Sequence, residues 1–310
     1  MSRLAGLAIV ASVCVLVLSG AASGSPAAPP SLATLLARHV PILLLHPDEH
    51  FTPVEVEGFI ADSDVTEKTP GGWVPVPGPL PTGGASLRLD QRSCRAIDGP
   101  AATPCYVAAE AAHASSPVAY GAAFRTKTRI ALQYWLWYPY NDYVAPLSRG
   151  DVWQVHEGDW ESVSVILDLA GTPLVVGLSA HCKGSRRTWE TAPKRGTHPF
   201  VFVAPGSHAN YFKRGLHRHN PVCWPPELRD VVRALVLVDR ATAGETVRPR
   251  LVRVTATTPP WMTFAGNWGE TGYLHFSNNP PIAYGAGPRG PAFHAQWRHP
   301  VAEVLSWPSG

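Results

Sequence analysis

Along most of this chain apolar positions recur every second residue, in short runs bounded by glycine and proline. That period belongs to half-buried strands. Residues 42–45, 87–90, 118–125, 129–138, 162–167, 174–180, 200–204 and 251–255 therefore read as strands. The run from Ile130 to Trp137 is apolar on both faces, which predicts a central strand, and Thr126-Lys127-Thr128 supplies the turn before it. Helical periodicity is brief. Leu32, Leu35 and Leu36 follow Ser31 as N-cap and predict a short helix that Pro41 ends. Thr52-Pro53-Val54-Glu55 reads as a second helix start with a capping box, while residues 228–238 fit either period. Residues 70–84 are too rich in Gly and Pro for regular structure and predict a surface loop. The pattern predicts a mostly β fold: an antiparallel β-sandwich with a few short peripheral helices.

One stretch breaks the alternation with chemistry. His156-Glu157-Gly158-Asp159-Trp160-Glu161 is a dense polar cluster that runs without interruption into the β-branched run 162–167. On a strand, Asp159, Glu161, Val163, Val165 and Leu167 share one face, which begins with two carboxylates and ends in core. Neighbours on that face stand about 6.5–7 Å apart, so their side chains can converge on one ion. Gly158 permits a turn that swings His156 to the same end. Two hard oxygen ligands and an imidazole suit a divalent cation, magnesium or calcium rather than zinc. The competing reading leaves both carboxylates solvated at a strand end, with Trp160 in the core.

Other strands also stop at polar residues. Run 129–138 leads to Asp142, a candidate fourth ligand, with Asp151 a competitor nearer in sequence. Run 174–180 stops at His181 and run 200–204 leads to Gly206-Ser207-His208-Ala209-Asn210-Tyr211. If consecutive strands run oppositely, His181 lies at the same end of the sheet as Asp159. His181 and His208 are thus the candidate catalytic, proton-shuttling groups. A Ser207–His208 dyad is excluded, because neighbours on an extended chain point to opposite faces, and no G-x-S-x-G elbow exists. His46-Pro47-Asp48-Glu49-His50 reads as a strand-to-helix turn whose polar groups cap the helix.

Composition changes this picture in one respect, the compartment. Ser2-Arg3, an apolar run to Leu18 and then small residues make a secretory signal peptide over 1–24, with a Pro/Ala tail over 25–30 and one domain over 31–310. Of 5 cysteines, Cys14 leaves with that leader. The remaining Cys94, Cys105, Cys182 and Cys223 predict two disulfides in an oxidising compartment. Three pairings are open, and Cys94–Cys105 with Cys182–Cys223 is favoured because the first pair brackets one Gly/Pro-containing loop. A formal charge of +3 with no basic block argues against nucleic acid as a partner. No second long apolar run exists, so the mature chain is expected to be secreted, with no transmembrane segment.

The succession Leu132-Gln133-Tyr134-Trp135, Tyr138-Pro139-Tyr140-Asn141-Asp142, His156 to Glu161, Ser179-Ala180-His181, Gly206 to Tyr211 and Gly266-Asn267-Trp268-Gly269-Glu270 resembles the vacuolar protein sorting-associated protein 62 family. The resemblance runs from about Pro41 to Trp297. That family's name records a genetic role and implies no reaction. The central hexapeptide is also similar to the G-H-R-H-D-W-E signature of the necrosis-inducing (necrosis and ethylene-inducing) toxins, secreted β-sandwich proteins. This second resemblance implies a divalent cation held by His156, Asp159 and Glu161, with Asp142 as the upstream acid because it follows the similar Trp137-Tyr138-Pro139. The toxins' second histidine is Gly158 here. The reading that results is a secreted, metal-binding protein that recognises a glycan or lipid headgroup at a cell surface. A metal-dependent hydrolase and a purely structural metal site are the rivals, so whether the chain is an enzyme stays open.

Overall fold

The computed structural model describes residues 30–310 except 96, 98, 114–115, 148–149, 271 and 278. The expected leader over 1–24, and the tail up to residue 29, lie outside the described residues. In chain order the strands are β1 (Ile42–Leu45), β2 (Ser63–Thr69), β3 (Gly72–Pro75), β4 (Leu87–Gln91), β5 (Val118–Arg125), β6 (Ile130–Ala145), β7 (Val152–Leu167), β8 (Pro173–Ala180) and β9 (Lys183–Thr188). There follow β10 (Lys194–Arg195), β11 (His198–Val203), β12 (Asn210–Tyr211), β13 (Gly215–Arg218), β14 (Val238–Ala241), β15 (Thr246–Val247), β16 (Arg250–Arg253), β17 (Asn267–Trp268), β18 (Gly272–Phe276) and β19 (Asn279–Gly285). Among the helices, α1 (Leu32–Arg38), α2 (Val56–Ala61), α3 (Thr103–His113) and α4 (Arg229–Leu235) matter below.

The axis of the molecule is the pair β6 and β7, each 16 residues long. They run antiparallel from Ile130 opposite Leu167 to Ala145 opposite Val152. The pairing skips one step, where Pro139 has no amide to give and Gly158 takes φ 61°. The sheet continues from β6 through β5 to β16. On the far side β7 is shared: β18 pairs with Val152 to Val155, and β8 pairs with Val163 to Leu167. Between them, His156 to Ser162 have no ladder partner on that edge among the described residues.

Both faces of this sheet are covered. On one, Leu43 and Leu45 of β1 with Val201 and Val203 of β11 meet Leu132, Tyr134, Val163 and Val165. On the other, Trp135, Trp137 and Trp160 pack with Trp261, Phe264 and Trp268 and with Val65 and Leu89 of the β2–β4 sheet. The late aromatic segment is therefore core, with Trp268 fully buried and its ring 5.0 Å from that of Trp137.

A mostly β fold with a few short helices is what forms, but its sheets are mixed. Pairs β1–β11, β16–β5 and β17–β4 are parallel, which corrects the expectation of antiparallel pairing throughout. The second helix also starts later than its sequence suggests. It begins at Val56 without a side-chain cap, because the Thr52 hydroxyl donates to Glu110 at 2.9 Å and Glu55 pairs with Arg250. Within 70–84, residues Gly72–Pro75 form a hairpin strand against β2 instead of loop. The ambiguous 228–238 stretch resolves into α4 and the approach to β14. Both disulfides, Cys94–Cys105 and Cys182–Cys223, are present in the favoured pairing. Among the described residues no helix is long and apolar enough to cross a membrane.

Candidate functional site

The bare stretch of β7 opens onto a cleft of about 280 Å³. His156, Asp159 and Glu161 line it together, with His181 from the end of β8 and the aromatic rings of Trp160, Trp224 and Tyr284. No lysine or arginine is among its lining residues. Side chains take over part of the hydrogen bonding that a neighbouring strand would supply. The Ser162 amide donates to Ser179 Oγ at 2.6 Å, and the His156 ring bonds the Gly158 carbonyl at 2.8 Å.

Each lining group is held from behind. The Gly158 carbonyl can only accept, so His156 Nδ1 carries the proton and Nε2 presents a lone pair. Burial lowers the His156 pKa, which keeps the ring neutral. Asp159 Oδ2 accepts from His208 Nδ1 at 3.0 Å, and Oδ1 has no hydrogen bond among the described residues. Glu161 accepts from the Ser179 hydroxyl and from the His181 amide at 3.2 Å. Burial, reinforced by the charge of Asp159, pushes Glu161 up to about 8. The two carboxylates share the cleft wall with no lysine or arginine, and the positive charge near them comes from His181 and, behind Asp159, from His208.

The two candidate histidines differ in role. His181 reaches the cleft, while its Nε2 lies 2.8 Å from Asp239 on the side away from it. Burial alone would lower the His181 pKa, but Asp239, Glu161 and Asp159 raise it to about 9. His208 does not line the cleft. It is fully buried in a left-handed conformation, stacked 3.9 Å from Tyr138, with Nδ1 on Asp159 and Nε2 3.5 Å from Glu49. Those two carboxylates outweigh burial and raise its pKa to about 10, so it is a positively charged support for Asp159.

Asp142 is elsewhere. β6 runs on past it to Ala145, and Tyr138, not Asp142, stands opposite Asp159. Four residues of strand amount to about 13 Å. Asp142 lines a separate cavity of about 420 Å³, where Oδ2 meets His50 Nδ1 at 2.7 Å and the Thr103 hydroxyl at 2.9 Å. The 46–50 segment thus caps no helix. Its Glu49 accepts from the Phe51 amide and the Gly206 amide, which fixes the loop carrying His208. Asp151 offers its backbone carbonyl to Ser277 at the start of β7, remote from Asp159 along the strand.

Sequence reasoning missed the tightest group. Among the described residues, His181, His219 and Asp239 offer ligand atoms that all lie within 4.8 Å of one another. His219 follows β13 within the polar run His217-Arg218-His219-Asn220, and Asp239 lies in β14. A lone aspartate closing the apolar run Leu235-Val236-Leu237-Val238 was the available signal. Glu157 was a further omission: its buried carboxylate accepts from Tyr106 Oη, the Gln91 amide and the Glu270 amide, tying β7 to α3 and β4.

With this geometry in hand, comparison with known proteins agrees with both resemblances. No family model matches the chain. It is 27% identical over 202 residues to vacuolar protein sorting-associated protein 62 of Saccharomyces cerevisiae, covering 56% of this chain and 43% of that one. A second such protein of the same yeast, TDA6, is 27% identical over 162 residues, or 44% of this chain and 34% of its own. The chain spans less than half the length of the curated relatives it matches. Among solved structures, NLPPya in complex with glucosamine aligns with TM-score 0.40 and 13% identity over 90% of this chain and 95% of that chain. The Necrosis and Ethylene inducing Protein 2 from the causal agent of cocoa's Witches Broom disease aligns with TM-score 0.32 and 17% identity, over 73% and 76%. The chain is similar to both groups.

Proposed function

We propose that this is a secreted binding protein that holds a divalent cation in its cleft and uses it to dock a glycan or lipid headgroup. The observation that carries the reading is that Asp159 and Glu161 line one cleft with no lysine or arginine in its wall, beside a neutral His156 with a free lone pair. An oxygen-rich set of this kind suits magnesium or calcium. A volume of about 280 Å³ is at the small end for ligand pockets and matches a single ring or headgroup. Trp224 and Tyr284 offer the flat apolar surfaces against which a sugar ring packs.

The hydrolase reading has its own support in His181, which stands in the cleft wall backed by Asp239 as an oriented base would. It differs in outcome, since a bound ligand would be consumed. The test is calorimetric titration of magnesium and calcium into chelator-treated protein, for wild type and Asp159→Asn. Glycan-array and anionic-vesicle binding follow, each with and without the ion. Saturable ion binding that is lost in Asp159→Asn, together with ion-dependent capture of one ligand class, is the expected result. Ion binding of equal strength in both proteins, or none in either, would sink the proposal.

A further inference from the structure

Behind the cleft wall the structure holds a second constellation that the proposed function does not use. We infer that His181, His219 and Asp239 form a closed metal site of the zinc type, which shares His181 with the cleft wall and lies behind it. The inference does not rest on the cleft cation.

Asp239 is fully buried, and its partners are two imidazoles and two hydroxyls. His181 Nε2 lies 2.8 Å from Oδ2 and His219 Nε2 lies 3.2 Å from Oδ1. Ser207 Oγ donates to Oδ1 at 2.6 Å, and Tyr211 Oη donates to Oδ2 at 2.5 Å. The hydroxyls and the His181 contact are ordinary hydrogen bonds. His219 is the exception. Its side chain is 2% exposed, Nδ1 has no hydrogen-bond partner, and Nε2 approaches Oδ1 at 3.2 Å without hydrogen-bond geometry. A buried imidazole whose Nδ1 is unpartnered, and whose Nε2 meets a carboxylate oxygen without hydrogen-bond alignment, is a pair of groups that an ion between them would satisfy.

The distances agree. A tetrahedral zinc with bonds of about 2.0–2.1 Å spaces its ligand atoms about 3.3–3.4 Å apart. The three ligand atoms here already fall within 4.8 Å, so adjustments of about an ångström, within rotamer reach, close the shell. Two imidazole nitrogens and one carboxylate oxygen favour zinc over magnesium or calcium, which take oxygen shells. Tyr211 or Ser207 stands ready as the fourth donor, which makes the site closed and structural in kind.

The backbone is arranged to hold these groups. His181 directly precedes Cys182, and His219 lies just before the short turn that ends in Cys223. The Cys182–Cys223 disulfide therefore bolts together the two segments that carry the imidazoles. Asp239 sits opposite His217 in the β13–β14 ladder, which sets its strand beside His219. Ligands from three distant segments would clamp the end of β8 to that hairpin.

The test uses the full mature chain stripped of metal and titrated with cobalt(II) as a zinc surrogate. Wild type should take up one ion with the intense visible bands of a tetrahedral nitrogen/oxygen site, and zinc should displace it. Asp159→Asn should keep those bands. His219→Gln and Asp239→Asn should weaken binding by at least about 100-fold. Zinc-loaded wild type should also give an X-ray absorption spectrum with two imidazoles in the shell, a readout that needs no variant to fold. Absence of tetrahedral bands in wild type, their survival in His219→Gln, or an all-oxygen shell would each overturn the inference.

Discussion

Glu161→Gln is the single change whose outcome reports most on the cleft. The side chain is 2% exposed and accepts from the Ser179 hydroxyl and the His181 amide. An amide fits the same space: Gln Oε1 keeps the His181 N–H, and Gln Nε2 donates to Ser179 Oγ once that hydroxyl turns. What changes is charge. Without an ion, Glu161 titrates at about 8, whereas an unfolded glutamate titrates near ~4.3. Between those values the native state holds more protons than the unfolded chain, so stability falls as pH rises through the window. At about 1.36 kcal/mol per pKa unit, the roughly 2.7 units below pH 7 amount to at most about 4 kcal/mol.

In chelator, Glu161→Gln should therefore exceed wild type by a few kcal/mol at pH 7 to 8, with the difference shrinking toward pH 5. A bound cation favours the carboxylate and reverses the sign. At about a hundred times its dissociation constant it restores roughly 2.7 kcal/mol to wild type and little to the variant. His181 and His208, raised to about 9 and about 10, also lose stability as pH rises above their unfolded pKa and through those values. The His208 contribution largely cancels in the difference, whereas His181, which Glu161 helps to raise, loses part of its contribution in the variant and trims the gain at pH 7 to 8. The assay is urea unfolding followed by tryptophan fluorescence at several pH values, with and without ion. A difference that stays flat with pH, or a variant that gains as much from the cation as wild type, refutes the reasoning.

Three further outcomes are expected. Trp160→Ala, which empties part of the tryptophan cluster, should cost about 3–5 kcal/mol in chelator melts while ion affinity per folded molecule stays within a few-fold. Gly158→His, which would restore the toxin-like residue, should abolish folding into this structure, because a Cβ there would stand 2.2 Å from the Trp268 carbonyl and 2.3 Å from the Trp137 ring; soluble, cooperatively melting protein would contradict this. Asp142→Asn should leave ion binding unchanged and lower the pKa of His50, whose hydrogen bond to Asp142 now raises it, as proton NMR titration would register.

The strands were legible because short apolar runs bounded by turn residues are a local property, and they located β5, the first part of β6 and β8 from their own residues. The parallel match of Ile42 with Phe200 was not, since nothing near either residue speaks of the other. The same limit governed the site. His156, Asp159 and Glu161 could be grouped because one strand carries them. Asp142 was placed with them because it follows Trp137-Tyr138-Pro139, yet an extended strand turns a few residues into many ångströms. His219 and Asp239 lie far from His181 and from each other in sequence, and only the folding of β13 onto β14 brings them to His181. Thr52 shows how tertiary partners override local rules: it had a helix to cap and bonds Glu110 instead.

The gap in the edge of β7 also bears on how this protein avoids its neighbours. A bare strand edge is normally an invitation to a strand from another chain, with aggregation as the penalty. Here the unpaired backbone is interior to the sheet, fenced at one end by β18 and at the other by β8. An incoming strand long enough to pair stably would collide with one or the other. The fencing strands thus keep the unpaired stretch from serving as a template for polymerisation.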